Sequence, residues 1–297
     1  MRTRAQKRKR REELLVALRS PVWRLITEQK DVFVKCVLPH LNESDRYFFS
    51  RANDESRNVL EYAGVNVSDL VWQVYECSSV STLEWAWNEI RWEEMDAEKR
   101  EENKKYFTWR VSGTNKLELL EWAREEKGCD WDQLTSSEAA VRGNLEMLEY
   151  CLDNGCPVRD DLCDVVVRQG PLDVLVFLID EKKFEYDAEQ LMGSAGREGH
   201  LDTLKYLIED KEHTDDGSLV MGFRESIRFG HLDCVKYFVE KPNIPEALRI
   251  EQAIANARFY EQHEVLNYLR EKDFQEPTEE EYEEFVTAWM LREQQLV

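Results

Sequence analysis

The chain is poor in the residues that interrupt helices, with 7 prolines and 12 glycines in 297 positions. That scarcity leaves little room for long linkers or for a β-protein of many tight turns. Long apolar runs are also missing. A helix needs roughly 20 apolar residues to cross a bilayer, and the run at 174–179 falls far short. The apolar run at 14–18 is too short for a signal-peptide core and is followed by Arg19. Seven cysteines are an odd number without an export signal, so thiols rather than disulfides are expected. Cys151, Cys156 and Cys163 lie near one another without a CxxC pair, so no metal is expected there. Positive charge is scarce as well. The net charge is −21, and the seven Lys and Arg of residues 2–11 carry +7, which leaves −28 on residues 12 onward. So acidic a body excludes a general phosphate-binding surface, because nucleic acid is held largely by Lys and Arg. The basic tail, residues 1–19, reads as a nuclear-import signal, an anionic-surface contact or a solubilising tail. A cytoplasmic or nuclear protein with neither a membrane nor a nucleic-acid partner is expected.

What the chain does contain is a repeat. Gly143-Asn144-Leu145-Glu146-Met147-Leu148 returns as Gly170-Pro171-Leu172-Asp173-Val174-Leu175, Gly199-His200-Leu201-Asp202-Thr203-Leu204 and Gly230-His231-Leu232-Asp233-Cys234-Val235. Weaker copies stand at 78–85, 115–122 and 261–268, the last with Glu261 where glycine stood. With Val80, Leu117, Leu145, Leu172, Leu201, Leu232 and His263 as one column, the steps are 37, 28, 27, 29, 31 and 31 residues. A period of this size marks units that bury their apolar faces only against their neighbours. Each column residue opens a stretch of helical apolar spacing, as in Leu201, Leu204, Tyr206, Leu207 and Ile208. A second helix is expected before each glycine, over 160–168, 188–197, 222–228 and 251–258, with small residues such as Ala139, Ala140, Ser194, Ala195, Ala253 and Ala257. Glycine then supplies the left-handed residue at which the chain reverses. An acidic residue follows the column in five copies, where the helix dipole favours it. The long first step holds a charged insertion, 91–103, read as a loop or a helix extension. Seven helix pairs in an all-α chain result.

The segment Ala139-Ala140-Val141-Arg142-Gly143-Asn144-Leu145-Glu146-Met147-Leu148 resembles the Ala-Ala-x-x-Gly-His-Leu-x-x-Leu segment of the ankyrin repeat family. The copies at 199 and 230 keep its His, and the resemblance spans residues 67–276. The family's Thr-Pro-Leu-His opening and usual finger loops are missing, so the helix pairs carry the likeness. It implies an ankyrin-like solenoid that grips another protein and performs no chemistry. Residues 31–57 resemble an F-box, through Asp31, Val37-Leu38 with Leu41, the turn at Ser44-Asp45, and Arg57. The family's opening Leu-Pro and late Trp are absent here. That resemblance implies that Val37, Leu38 and Leu41 dock the small adaptor of a cullin-type ubiquitin ligase. The plain alternative makes residues 20–66 a helical cap facing Val71, Trp72 and Trp85. A solenoid needs a cap at each end. The other is expected at 277–297, with Thr278 and Glu281 as a capping box and Phe285, Trp289 and Leu291 over the last repeat.

Constellations for catalysis are not found in the sequence. His200 and His231 share one repeat position and are expected to satisfy local backbone groups, while His263-Glu264 lacks the second His of a zinc-protease helix. The Gly-rich run 193–199 lacks the Gly-Lys-Ser/Thr finish of a phosphate loop and falls inside an expected helix. No enzyme, metal or cofactor is therefore expected. One regularity suggests a binding surface. Arg142, Arg168, Arg197 and Arg228, with Arg258 near the same register, end successive inner helices. Either each pairs with the acid of the next turn (Glu146, Asp173, Asp202, Asp233), or together they capture carboxylates of a bound segment. Trp131, Phe184 and Tyr186 in the inter-repeat loops are further candidates for partner contact or for packing under the loops. The expectation is a monomeric protein-binding scaffold, with the ubiquitin-ligase substrate receptor as the alternative.

Overall fold

The computed structural model describes residues 21–240 and 252–294. The basic tail at 1–19, position 251 and the Trp289 side chain lie outside the described residues. Every regular element among the described residues is helical, and no strand occurs there. The chain divides into two compact units, residues 1–135 and 136–297. The division falls inside the stretch read as one array, 67–276.

In the first unit, short helices Pro21–Glu28, Lys30–Cys36, Glu43–Ala52 and Asp54–Tyr62 follow one another. Asn42 and Asn53 start the last two by accepting the amide N–H of Asp45 and Ser56, which satisfies donors left over at a helix N-terminus. These helices close a core of their own from Ile26, Phe33, Leu38, Val59 and Leu60. Leu38 is 7% exposed inside this core, and Val37 and Leu41 pack against it partly buried. Phe48 approaches the next segment, with its ring 5.9 Å from Trp72 and 6.2 Å from Trp85. The charged insertion is a helix extension: a 3-10 turn Trp92–Glu94 leads into Ala97–Ser112, started by Asp96.

In the second unit, inner helices Leu162–Gln169, Ala188–Glu198, Asp216–Arg228 and Gln252–Phe259 pack each on the next. The third of these is longer than the expected 222–228. The last meets Glu279–Gln294, whose start carries the expected Thr278–Glu281 capping box. Phe285 covers Phe259 at 6.0 Å, whereas Leu291 is 56% exposed. Leu201–Lys205 packs on Leu232–Glu240, and that on His263–Glu271, as an outer row. Small residues set the closest crossing. A Cβ on Gly193 would meet Met221, and one on Gly196 would overlap the Gly222 backbone.

Across both units, the expected column residue is the first residue of its helix in all seven copies: Val80, Leu117, Leu145, Leu172, Leu201, Leu232 and His263. The residue two before the column is left-handed at Gly143, Gly199 and Gly230, and also at Asn115 and Glu261. Ser78 and Gly170 are the exceptions, the latter with φ −109° and ψ 173°. Pro171 follows it, and a residue before proline is driven to extended backbone.

The outer helices come in two lengths. Those opening at Leu117, Leu172 and Leu201 end in π-helical turns, Trp122–Glu126, Phe177–Glu181 and Tyr206–Asp210. Those opening at Leu145, Leu232 and His263 stay α-helical over nine residues, and Val80–Glu89 is α-helical over ten. The first set reaches its left-handed exit residue (Gly128, Lys183, Glu212) one position later than Gly155 and Asp273 do in the second. A π-turn is how a helix absorbs one inserted residue.

Candidate functional site

The ends of the inner helices in the second unit carry the arginine row. Each arginine of the row is paired, but not with the carboxylates of the next turn. Arg142 Nε meets Glu138 at 2.7 Å and Arg168 meets Asp164 at 3.0 Å, both one turn earlier on the same helix. Asp164 also accepts the Ser194 hydroxyl of the next inner helix at 2.5 Å. Arg258 pairs with Glu279 at 2.9 Å. The expected partners do other work: Asp173 accepts the N–H of Val174, while Asp202 and Asp233 face Lys205 and Lys236. For Arg142 and Arg168 the reason is direction: a helical side chain leans toward its own N-terminus, so these two reach back to the preceding turn, whereas Arg197 and Arg258 cross to Glu225 and Glu279 of later helices.

Arg197 and Arg228 are brought together. Their shared anchor is Glu225, which is only 5% exposed. Arg197 lies 3.5 Å from it, Arg224 3.4 Å and Arg228 3.9 Å. A buried carboxylate needs charged partners, and three guanidiniums surround this one. Phe229, 45% exposed, stands beside them, with Arg197 and Arg228 at 5.6 and 5.4 Å from its ring. Arg228 also lies 5.1 Å from the ring of Tyr260. The arrangement offers planar donors and an apolar ring on one exposed surface, suited to a carboxylate with a neighbouring apolar side chain. Arg224, Glu225, Phe229 and Tyr260 were not among the sequence candidates. A signal did exist: Phe229 and Tyr260 occupy the position before the left-handed residue, which Arg142, Gln169 and Glu198 fill with polar side chains in other copies.

The remaining candidates lie elsewhere. Trp131, in the first unit, is 4% exposed with the Arg124 guanidinium 3.9 Å from its ring, so it packs under its loop. Phe184 is half-buried. Tyr186 is half-buried too, and its hydroxyl meets His213 Nε2 at 2.8 Å. Burial raises the Tyr186 phenol above its ordinary value.

The histidines bind backbone of the neighbouring repeat rather than of their own turn. His200 Nδ1 donates to the Val167 carbonyl and His231 Nε2 to the Arg197 carbonyl, both at 2.7 Å. Gln262 repeats the contact on Arg228 at 3.1 Å. These donors occupy one repeat position and tie each unit to the last.

The seven cysteines are thiols. Burial pushes Cys129, Cys163 and Cys234 up to about 11 and Cys77 up to about 12, the opposite of what activates a nucleophilic thiol. Among the described residues no group of three or more His, Cys, Asp or Glu could hold a metal ion, and no helix is long and apolar enough to cross a membrane. Comparison with family models, curated proteins and solved structures gives no match.

Proposed function

We propose that this chain is a non-catalytic protein-binding scaffold, with residues 67–276 as an ankyrin-like array and helical caps before and after it. The observation that carries the reading is the convergence of Arg197, Arg224 and Arg228 on one carboxylate beside exposed Phe229. The partner is a protein segment bearing carboxylates, met in the cytoplasm or nucleus by a monomeric chain. Support for the array comes from the repeated helix starts and from the histidine and glutamine contacts one repeat apart. In a displayed random-peptide selection on the full chain, sequences rich in Asp and Glu with an aromatic residue are expected to be enriched. Arg197→Glu combined with Arg228→Glu should abolish that enrichment while leaving the helical circular dichroism intact. Equal enrichment on the double variant overturns the site.

The second reading is a substrate receptor of a cullin-type ubiquitin ligase. It is favoured by the self-contained core of the helices between 21 and 62, since a docking module needs a fold of its own. With Leu38 inside that core, the adaptor would meet the exposed Val32 and Pro39. The full chain should then bind the adaptor and lose it on Val32→Asp. Failure of the wild-type chain to bind would leave these helices as a cap alone.

A further inference from the structure

A second surface lies in the first unit. A cavity of about 250 Å³ opens between the 3-10 turns at 74–76 and 92–94 and the long helix Ala97–Ser112. Its apolar lining includes Trp72, Trp92, Tyr106 and the buried Phe107. The walls are held in place. Trp92 Nε1 donates to the Trp87 carbonyl at 2.9 Å, and Arg100 donates to the carbonyls of Trp92 and Met95, each at 3.0 Å. A cavity so fixed requires little ordering when it is filled.

Arg110 stands at its edge. The guanidinium lies 5.4 Å from the Tyr75 ring, 5.1 Å from Tyr106 and 5.8 Å from Trp109, and Nε donates to the Tyr106 hydroxyl at 3.1 Å. Nearby arginines find oxygen within the chain: Arg91 on Glu94, Arg124 on Asp130. Arg110 meets no carboxylate among the described residues, in a chain with 61 acidic residues against 40 Lys and Arg. Its terminal nitrogens, stiffened by three rings, are left to an outside acceptor. Exposed Glu93 and Glu102 adjoin it in the chain, while Glu94 is held by Arg91 and Glu101 by Lys104.

We propose that this cavity binds a protein segment that inserts one large apolar side chain between Trp72, Trp92 and Tyr106, sets an adjacent carboxylate on Arg110, and places basic residues over Glu93 and Glu102. Charge complementarity selects this occupant. A run of phosphates or carboxylates would face Glu93 and Glu102 for the sake of one arginine, whereas a segment of mixed sign satisfies both. The volume suits a side chain and lies below the usual range for a cofactor.

The test uses the full chain labelled with 5-fluorotryptophan, followed by fluorine NMR, with Trp72→Phe and Trp92→Phe to assign the two resonances. The probe is a pool of acetylated, amidated octapeptides holding Phe, Tyr or Leu beside one Asp, with two Lys at one end. Binding is expected to shift both resonances. Arg110→Gln should weaken it roughly tenfold, as should replacing Asp by Asn in the pool, and Lys-to-Glu pools should bind worse. Arg197→Glu with Arg228→Glu should leave these shifts unchanged, which separates this site from the arginine row. The proposal is overturned if no pool moves the two resonances, if Arg110→Gln or the Asn pool binds equally well, or if a single-stranded oligothymidylate moves them instead.

Discussion

Gly199 and Gly155 have almost the same backbone, φ +74° and +73°, but different surroundings. At Gly155 a Cβ would find open space; at Gly199 it would overlap the His231 imidazole of the next repeat. Gly143 and Gly230 stand in the same relation to Pro171 and Gln262. The glycine is therefore required twice, once for the left-handed turn and once for the side chain stacked on it. Left-handed backbone costs a non-glycine residue about 1–2 kcal/mol, and this is the whole loss expected for Gly155→Ala. Gly199→Ala should lose about 1 kcal/mol more, because His231 must move and release the Arg197 carbonyl. Urea denaturation of both variants measures the difference, and in a His231→Ala background it should vanish. The first requirement is legible in the sequence, as glycine at a fixed place in four of the seven copies. The second is not, because the overlapping side chain lies about 30 residues away and becomes a neighbour only on stacking.

Among elements, helix starts were far more legible than helix ends. A start is local: an apolar column residue, an acid in the first turn and a reversal just before it. The end depends on where the next repeat must begin, and the π-turns at Trp122–Glu126, Phe177–Glu181 and Tyr206–Asp210 absorb the extra residue. In each of the three, the lysine after the turn lies over the aromatic ring that opens it, at 4.8 Å for Lys127, 5.3 Å for Lys182 and 5.3 Å for Lys211. Each lysine also reaches an acid one repeat back: Glu84, Glu149 and Asp180 respectively. If the π-turn is one inserted residue, deleting the exposed Asp210 should yield a nine-residue α-helix like Leu232–Glu240 and keep Tm within about 4 °C. Deleting Asp153 from the uninterrupted Leu145–Asp153 helix has no spare residue to remove and should lower Tm much further. Thermal melts followed by circular dichroism compare the two, and equal losses would refute the insertion account.

At the scale of the whole molecule, buried thiols and phenols make the fold sensitive to alkali. Burial holds Cys77, Cys129, Cys163 and Cys234 above the ordinary thiol value of 9.0, at about 11 to 12, and raises Tyr206, Tyr237 and Tyr268 as well. A group raised in the folded state keeps its proton there after the unfolded chain has lost it. Its contribution is complete below the unfolded value and is lost as pH rises through the folded one. Stability should thus decline from about pH 9 upward, and Cys163→Ala should make that decline shallower. A decline as steep in the variant would exclude this thiol as a contributor. The sequence by itself determined the helical class, the seven columns, the acidic body and the capping box at Thr278, because each depends on residues within one or two turns of each other. The tertiary structure alone decided which carboxylates the arginines hold, that Leu38 is a core residue, and that Arg224 and Phe229 join Arg197 around Glu225. Those choices depend on the direction of side chains across a stacking interface, and residues a full repeat apart meet only when the helices are packed.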